Sequence, residues 1–283
     1  MGSFSILNNI AAINGQNQLN INNVNLNRTL SRLASGKRIN SGADDAAGLQ
    51  IADSLKANVM ALNQAVRNAN DGVSFCQIAD GALQEITNLL TRSVTLAEES
   101  ATEVIDDAGR KALDNELTAI KAEIKRIAED TNFNGLQLFA SAGALTDGQL
   151  SIFVGDLTSQ SMIDVKFGSI KLGGTGFDTS ALTSANILSA GAAVSTLSVL
   201  KEALDSVAFM RGDIGAGMNR LQAAVAVIQT QAQNTQAAES AIRDANMAEE
   251  ISNMTKFQIL AQSGIAALAQ ANSNSQSILQ LLQ

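Results

Sequence analysis

The sequence contains no proline, histidine, tryptophan or tyrosine, and only one cysteine, Cys76. Without proline the commonest interruption of an α-helix is missing, so long unbroken helices are the first expectation for its 283 residues. Aromatic residues amount to 3%, all of them Phe. Packing therefore falls to Leu, Ile, Val and Ala, which suit narrow seams between helices at least as well as a globular core. The absence of histidine removes Ser-His and Cys-His catalysis, and a lone cysteine closes no internal disulfide. A formal net charge of -8 with no Lys/Arg cluster argues against a nucleic-acid partner. No apolar run approaches the roughly 20 residues of a membrane span, so no membrane insertion is expected. The N-terminus also lacks the basic, apolar and small-residue segments of a secretory signal. If the protein leaves the cell, the expected route leaves its ends intact.

Charge is also absent from both ends. None occurs from Met1 until Arg28, and none after Lys256. Projected at 100° per residue, Ile6, Ile10, Ile13, Ile21 and Val24 fall in one arc, while Ala12, Leu19, Leu26, Leu30 and Leu33 fall opposite. A helix with two opposed apolar stripes separated by Asn and Gln needs neighbours on two sides. At the other end Phe257, Leu260, Leu268, Ala271, Ile278, Leu279 and Leu282 share a helical face with Gly264 and Ser275. The simplest partner for each terminal helix is the other, and that pairing leaves one stripe of the N-terminal helix open.

Between the ends the repeat is a regular heptad. Leu55, Leu62, Ala69, Cys76, Leu83, Leu90 and Ala97 recur every seven residues, interleaved with a second series of Val59, Val66, Val73 and Val94 in which the polar Asp80 and Thr87 also stand. A second helix carries Leu113, Leu117, Ile120, Ile124 and Ile127, with Asp106–Arg110 and Asp107–Lys111 spaced as i,i+4 ion pairs. "NFNG", Asn132 to Gly135, then reads as a stop and turn. A third series runs through Leu200, Val207, Ile214, Leu221 and Ile228, with Arg211 among its polar interruptions. Three rods of comparable length are expected to pack as one bundle. Only the middle, from Ser141 to Gly191, is rich in Gly, Ser and Thr. There "LSIFV" and "MIDVKF" alternate as a small β-hairpin, with a bulge expected near Gly168. The fold class is mainly α: a long coiled-coil bundle with paired N- and C-terminal helices and a small β-hairpin region in the middle. Its expected parts are 1–42, 43–140, 141–192, 193–238 and 239–283.

Several motifs fail on inspection. "SGKR", Ser35 to Arg38, lacks the Ser/Thr and the first Gly of a phosphate loop and reads as a basic turn between helices. Neighbouring Asp44 and Asp45 point about 100° apart on a helix and read as first-turn acids that offset its dipole. "NANDG", Asn68 to Gly72, misses the calcium-loop pattern, and Gly72 reads as a weak point in a helix. "GGTG", Gly173 to Gly176, is a flexible turn. Cys76 occupies a heptad core position and reads as a small buried hydrophobe. The glycines of "GDIGAGMN", Gly212 to Asn219, fit either a close approach or local loosening, or a point where a rod changes its packing in an assembly. The Asn27-Arg28-Thr29 and Asn253-Met254-Thr255 sequons lie in packing helices. No catalytic, cofactor-binding or metal site is expected.

"RLASGKRINSGADDAAGLQIADSL" (Arg32 to Leu55), "NANDGVSFCQIADGALQEITNLL" (Asn68 to Leu90), "DTNFNGLQLF" (Asp130 to Phe139) and "AIRDANMAEEISNMTKFQILAQSGIAALAQAN" (Ala241 to Asn272) together resemble bacterial flagellin, the subunit of the flagellar filament. The likeness spans nearly the whole chain except the middle. It implies an inner tube built from the terminal helices, a surrounding layer of heptad rods and an outward-facing middle. Ile10, Ile13, Leu19, Leu26, Leu30 and Leu33, with Leu260, Leu268, Ile278, Leu279 and Leu282, would then build the tube by self-assembly. Leu55, Leu62, Cys76, Leu83, Leu90, Leu117, Ile124, Leu200, Val207, Leu221 and Ile228 would form the rod core.

The resemblance further implies export without cleavage through the flagellar type III apparatus, an extracellular filament, and ends that fold on assembly. Implied partners are further copies of the chain, sister flagellins, an export chaperone, the filament cap and hook-junction proteins. Two departures stand out. Ser275 occupies a stretch, "QANSNSQ", where many relatives have Pro. In "LTRSVTLA", Leu90 to Ala97, Arg92 matches the segment through which some flagellins engage an innate immune receptor, but Val94 and Thr95 replace the usual Arg and Glu. That argues against receptor recognition. A hook-filament junction protein and a monomeric coiled-coil module remain as alternative readings of the sequence alone.

Overall fold

The computed structural model of the chain describes residues 9–139, 149–156, 161–167, 170–171 and 177–281. Four long helices carry most of it. They are α1 (Ile10–Ser35), α2 (Ala46–Ala101), α5 (Ala190–Arg243) and the terminal α6 (Met247–Leu281), with α3 (Asp107–Asp130) and the short α4 (Thr179–Ser184) completing the helical set among the described residues. Six short strands lie between α3 and α4: β1 (Asn132–Phe133), β2 (Leu136–Gln137), β3 (Gln149–Phe153), β4 (Met162–Lys166), β5 (Ile170–Lys171) and β6 (Phe177–Asp178). The chain divides into two compact units, one made of Met1–Ala57 with Asn234–Gln283, the other of Asn58–Gln233.

In the second unit the heptads meet as the spacing predicts. Leu62, Ala69, Cys76, Leu83, Leu90 and Ala97 of α2 are buried, as are Leu117, Ile120 and Ile124 of α3 and Leu200, Val207, Ile214, Leu221 and Ile228 of α5. Two polar interruptions pair with one another: Arg211 Nε lies 2.8 Å from Asp80 Oδ1, both half-buried. Leu55 differs from the rest of the expected rod core, being only half-buried and part of the first unit.

The three rods are not of comparable length. α2 and α5 have 56 and 54 residues, whereas α3 has 24. It stops where Thr131 turns to extended backbone, φ -69° and ψ 112°; Asn134 and Gly135, with φ of 52° and 81°, then form the left-handed pair that a two-residue hairpin turn requires and join β1 to β2. Beyond that point the β3–β4 hairpin covers α2 and α5. It is antiparallel, with Leu150 opposite Val165 and Ile152 opposite Ile163. Alternation puts Ile152, Val165 and the following Phe167 on the buried face. The Phe75 ring of α2 meets Phe167 edge-on at 4.9 Å and Phe133 at 5.7 Å between centroids.

Gly72 is therefore no weak point. A Cβ there would lie within 3.3 Å of Leu221 Cδ1 and run into the tip of Ile152, so its absence seats the hairpin. Gly217 does the same on α5, where a Cβ would lie 2.4 Å from Val165 Cγ1, while Gly212 and Gly215 have nothing within 4 Å. The bulge near Gly168 and the turn Gly173–Gly176 lie outside the described residues.

The connection from α2 to α3 is also built differently from its sequence reading. Asp106 caps α3, accepting from the Gly109 amide at 2.8 Å, instead of pairing with Arg110. Arg110 is buried, and its guanidinium donates to the carbonyls of Ser100, Thr102 and Ile105 at 2.9, 2.9 and 3.2 Å. It thereby satisfies carbonyls that the end of α2 leaves open. Arg92 lies 2.8 Å from Glu116 of α3 in an exposed ion pair.

Candidate self-assembly surface

Within the first unit α1 and α6 run antiparallel. Asn9 Nδ2 donates to the Ala271 carbonyl at 3.1 Å at one end, and Arg32 Nη1 reaches Glu250 Oε1 at 3.4 Å at the other. Asn9 also caps α1 by accepting from the Ala12 amide. Among the shielded residues of α1, Ala12, Gly15, Leu19, Asn22, Leu26, Thr29 and Leu33 follow alternating spacings of three and four, with Asn25 and Arg32 half-buried beside them. Facing them on α6 are Glu250, Met254, Phe257, Ala261, Gly264, Leu268 and Ala271, with Asn253 half-buried alongside.

Two reciprocal contacts fix the register. A Cβ on Gly15 would lie 3.0 Å from Leu268 Cδ2, and one on Gly264 would lie 2.9 Å from Leu19 Cδ1. Each leucine thus sits over the glycine of the facing helix, a knob in a hole. The sequence projection, which sought apolar side chains, passed over Gly15, Asn22 and Thr29. Their signal is the unbroken seven-residue spacing they share with Leu19, Leu26 and Leu33.

This seam sorts the expected tube residues. Leu19, Leu26, Leu33 and Leu268 lie on it, half-buried. Ile10, Ile13 and Leu30 do not: they are exposed, Ile10 at 64%, together with Ile21 and Val24. Leu30 therefore leaves the stripe assigned to it, because one residue's shift turns a position by 100° and Thr29 and Leu33 hold the heptad phase. Leu260 is likewise exposed, its expected place being taken by Ala261. Ile278 and Leu279 belong to the last turns of α6, their side chains outside the description, and Leu282 lies outside the described residues. Ser275, where many relatives carry Pro, is inside the helix.

The charges missing from the terminal helices gather where α1 meets α2 and α5 meets α6. Gly36 caps α1 with φ of 69°, a left-handed conformation that favours glycine. The two connections are stitched by Arg38 N donating to Arg243 O at 2.7 Å and Ala245 N to Gly36 O at 3.0 Å. Arg38 adds a side-chain bond to the Ile242 carbonyl at 2.9 Å.

Arg32 stands between Asp44 at 3.6 Å and Glu250, and Arg28 approaches Asp44 at 3.8 Å. Arg243 meets Asp53 at 2.8 Å and Glu239 at 3.9 Å. Neither aspartate of the Asp44–Asp45 pair is a first-turn residue. Asp45 precedes α2 and accepts from the Gly48 amide at 2.9 Å, whereas Asp44 accepts from the amides of Asn40 and Ser41 and from the Ser41 hydroxyl. Burial pushes the Asp44 carboxyl up, but those hydrogen bonds and the Arg32 charge outweigh it and hold the group below its ordinary value.

Among the described residues no three His, Cys, Asp or Glu side chains converge as metal ligands, and no helix is long and apolar enough to cross a membrane. What the geometry does offer is a helix pair with an uncovered aliphatic face. Covering the exposed parts of Ile10, Ile13, Ile21 and Val24 is worth on the order of 4 kcal/mol, at about 1 kcal/mol each for half a side chain.

Residues 6–144 match the family model for the bacterial flagellin N-terminal helical region, and residues 197–282 that for the C-terminal helical region. The chain is 36% identical to the flagellar filament 30.7 kDa core protein of Treponema maltophilum, over 97% of this chain and 98% of that protein. It is 35% identical to a flagellin of Halalkalibacterium halodurans with the same coverage of both. The crystal structure of Bacillus cereus flagellin matches at 28% identity and a TM-score of 0.49, covering 61% of this chain and 94% of that one. That likeness is too loose to bear on the geometry. Two helical-region matches at the two ends, and identity sustained over nearly the whole length of its relatives, make the chain a member of the bacterial flagellin family.

Proposed function

We propose that the chain is a structural subunit that polymerises into the filament of a bacterial flagellum and serves swimming by mechanical continuity, not by catalysis. The observation that carries this reading is the outward aliphatic face of α1. A helix already paired with α6 through a seam of leucines seated over glycines keeps Ile10, Ile13, Ile21 and Val24 in water, a cost that further copies would remove. In this reading 1–42 and 239–283 supply the inner tube, 43–140 and 193–238 the rod layer, and 141–192 faces outward. The amide-rich, charge-free ends suit a channel through which unfolded subunits pass with little adhesion. Export without cleavage by the flagellar type III apparatus, folding of the ends on assembly, and an extracellular location belong to the same proposal. Its further partners are sister subunits, an export chaperone, the cap and hook-junction proteins. The alternative of a hook-filament junction protein has no observation in its favour, since the relatives described above are a flagellar filament core protein and a flagellin.

The test starts from purified chain held as monomer after heat or acid, returned to neutral buffer and seeded. Electron microscopy should show long tubes, and monomers that persist beside competent seeds would overturn the proposal. Removing residues 1–27 should abolish the tubes while circular dichroism still reports the rods as helical.

A further inference from the structure

The sequence holds two Asn–Gly pairs, Asn14–Gly15 and Asn134–Gly135. Such a pair carries its own chemistry. Glycine puts no Cβ beside its nitrogen, so that nitrogen can attack the preceding Asn Cγ wherever the backbone lets the two meet. They meet when the Asn ψ turns until the nitrogen eclipses Cβ. An α-helix holds ψ near about -42° and a primed hairpin turn near about +30°, and neither brings the atoms together. Both asparagines are exposed, so backbone conformation is the guard in each case.

The two guards differ in strength. Around Asn134–Gly135 the Leu138 amide donates to Thr131 O at 3.1 Å and the Gln137 side chain to Glu129 O at 3.1 Å. Phe133 packs edge-on against Phe75, and Leu138 and Phe139 are buried. Asn14–Gly15 depends on α1 staying helical. Seven of the 26 residues of α1 are Asn, a weak helix former, so packing must hold the helix. Within the chain that packing is the single seam with α6, and Ile10 and Ile13, just ahead of Asn14, remain in water. Asn14 also stands near the start of α1, where helices fray first.

We propose that Asn14–Gly15 is a self-modification site that withdraws unassembled subunits from filament growth. This rests on the filament reading, in which neighbours complete the packing of α1. With α1 open, the Gly15 nitrogen gives its proton to water or hydroxide and bonds to Asn14 Cγ; the Cγ–Nδ2 bond breaks, and ammonia leaves carrying a proton from the solvent. Water then opens the cyclic imide at either carbonyl to aspartate or isoaspartate. One water is consumed, one ammonia is released, and nothing is oxidised or reduced. Either product puts a carboxylate into a segment without charge from Met1 until Arg28. Isoaspartate also threads an extra methylene into the main chain, which breaks the helical repeat between Ala12 and Leu19. The seam has no slack for that: a Gly15 Cβ would lie 3.0 Å from Leu268 Cδ2, and a Gly264 Cβ 2.9 Å from Leu19 Cδ1. Assembly protects the pair, and delay exposes it.

The test ages the full chain in mildly alkaline buffer as monomer, as seeded filaments and in denaturing urea, and reads conversion at Asn14 and Asn134 by peptide mass spectrometry. In urea both should convert at comparable rates. In the monomer Asn14 should convert at least about tenfold faster than Asn134, and in filaments at least about tenfold more slowly than in the monomer, because reaction through an open state tracks its population. When aged monomer is seeded, the chains left in solution should be enriched in modified Asn14. Asn14→Gln, whose longer side chain cyclises far more slowly, should keep its assembly yield through the same ageing. A monomer that converts Asn14 no faster than Asn134, filaments that convert it as fast as monomer, or filaments that take up modified and unmodified chains alike would overturn the inference and leave the filament reading standing. Failure of freshly prepared chain to assemble on seeds would sink both.

Discussion

The three glycines of Gly212–Gly217 predict opposite responses to one substitution. At Gly212 and Gly215 an added methyl meets nothing within 4 Å. Replacement by Ala should stabilise the folded chain by about 0.5 to 1 kcal/mol, through helix propensity and the smaller backbone entropy lost on folding. At Gly217 the same methyl would lie 2.4 Å from Val165 Cγ1, 3.0 Å from Cγ2 and 3.2 Å from Cβ. Val165 is buried in the hairpin and β-branched, so rotation exchanges one methyl for another without clearing the space. The hairpin must lift instead, and overpacking of this kind costs about 1 to 3 kcal/mol. Gly217→Ala should therefore unfold more readily than Gly215→Ala by about 1 to 3 kcal/mol, or roughly 2 to 4 °C for each kcal/mol in thermal melts followed at 222 nm. Val165→Ala alone should cost about 2 kcal/mol as a truncation. Combined with Gly217→Ala it should cost less than the sum, because the space has been cleared. If Gly217→Ala melts at or above Gly215→Ala and shows no coupling to Val165, the hairpin does not rest on that glycine and the reasoning fails.

Acid should loosen the junction around Asp44. Its carboxyl is held below the ordinary value of 3.8, so the stability it lends is whole above that pH and is lost as the pH falls through the folded value. Protection of the Ser41 amide from exchange should drop in that acid range in the parent chain and show no such drop in Asp44→Asn. Arg110→Ala strips three carbonyls of their donor and should cost about 2 to 3 kcal/mol in urea unfolding; a loss below about 0.5 kcal/mol would contradict the capping role. The Cys76 thiol is fully buried, and burial pushes its pKa up to about 11. It should resist thiol reagents at pH 8 in the folded chain and react only at the rate of unfolding; rapid labelling of native protein would place it outside the core.

How much of this was legible depended on what each residue's signal means without its neighbours. The heptads of α2 and α5 were legible because a side chain every seventh residue has one economical use, and Asn134–Gly135 because that dipeptide suits one kind of turn. The length of α3 was not, since the apolar positions of the β3–β4 hairpin carry a period of two and do not announce that they continue the third side of a helical bundle. Glycines were the least legible. Gly72 and Gly217 look like Gly212 and Gly215 until the hairpin stands opposite them. Arg110 was misread for a related reason: i,i+4 spacing from Asp106 suggests an ion pair, but an Asp just before a helix is drawn to the free amides there. That leaves the guanidinium fork to the carbonyls closing α2.

The terminal helices carry the same lesson to its functional end. A search for apolar stripes assigned Leu30 and Leu260 to the buried side, while the seam passes through Thr29 and Ala261 beside them. It did so because α1 is composed the wrong way round for a helix that finishes its packing within one chain. Its inward positions include Ala12, Gly15, Asn22 and Thr29, while four β-branched aliphatics, Ile10, Ile13, Ile21 and Val24, face water. Small inward residues let α1 and α6 approach closely, and Asn22, buried at a heptad position, trades stability for a defined register. Leu19, Leu26 and Leu33 supply the seam's apolar burial, and the hydrophobic free energy of the four outward aliphatics is left where only association can recover it. A pair stabilised mainly by its own seam would need no such face, and selection for solubility alone would have replaced it with Lys and Glu. The absence of charge that opens and closes the sequence and the exposed stripe are thus two sides of one requirement, that these helices be finished by other copies of themselves.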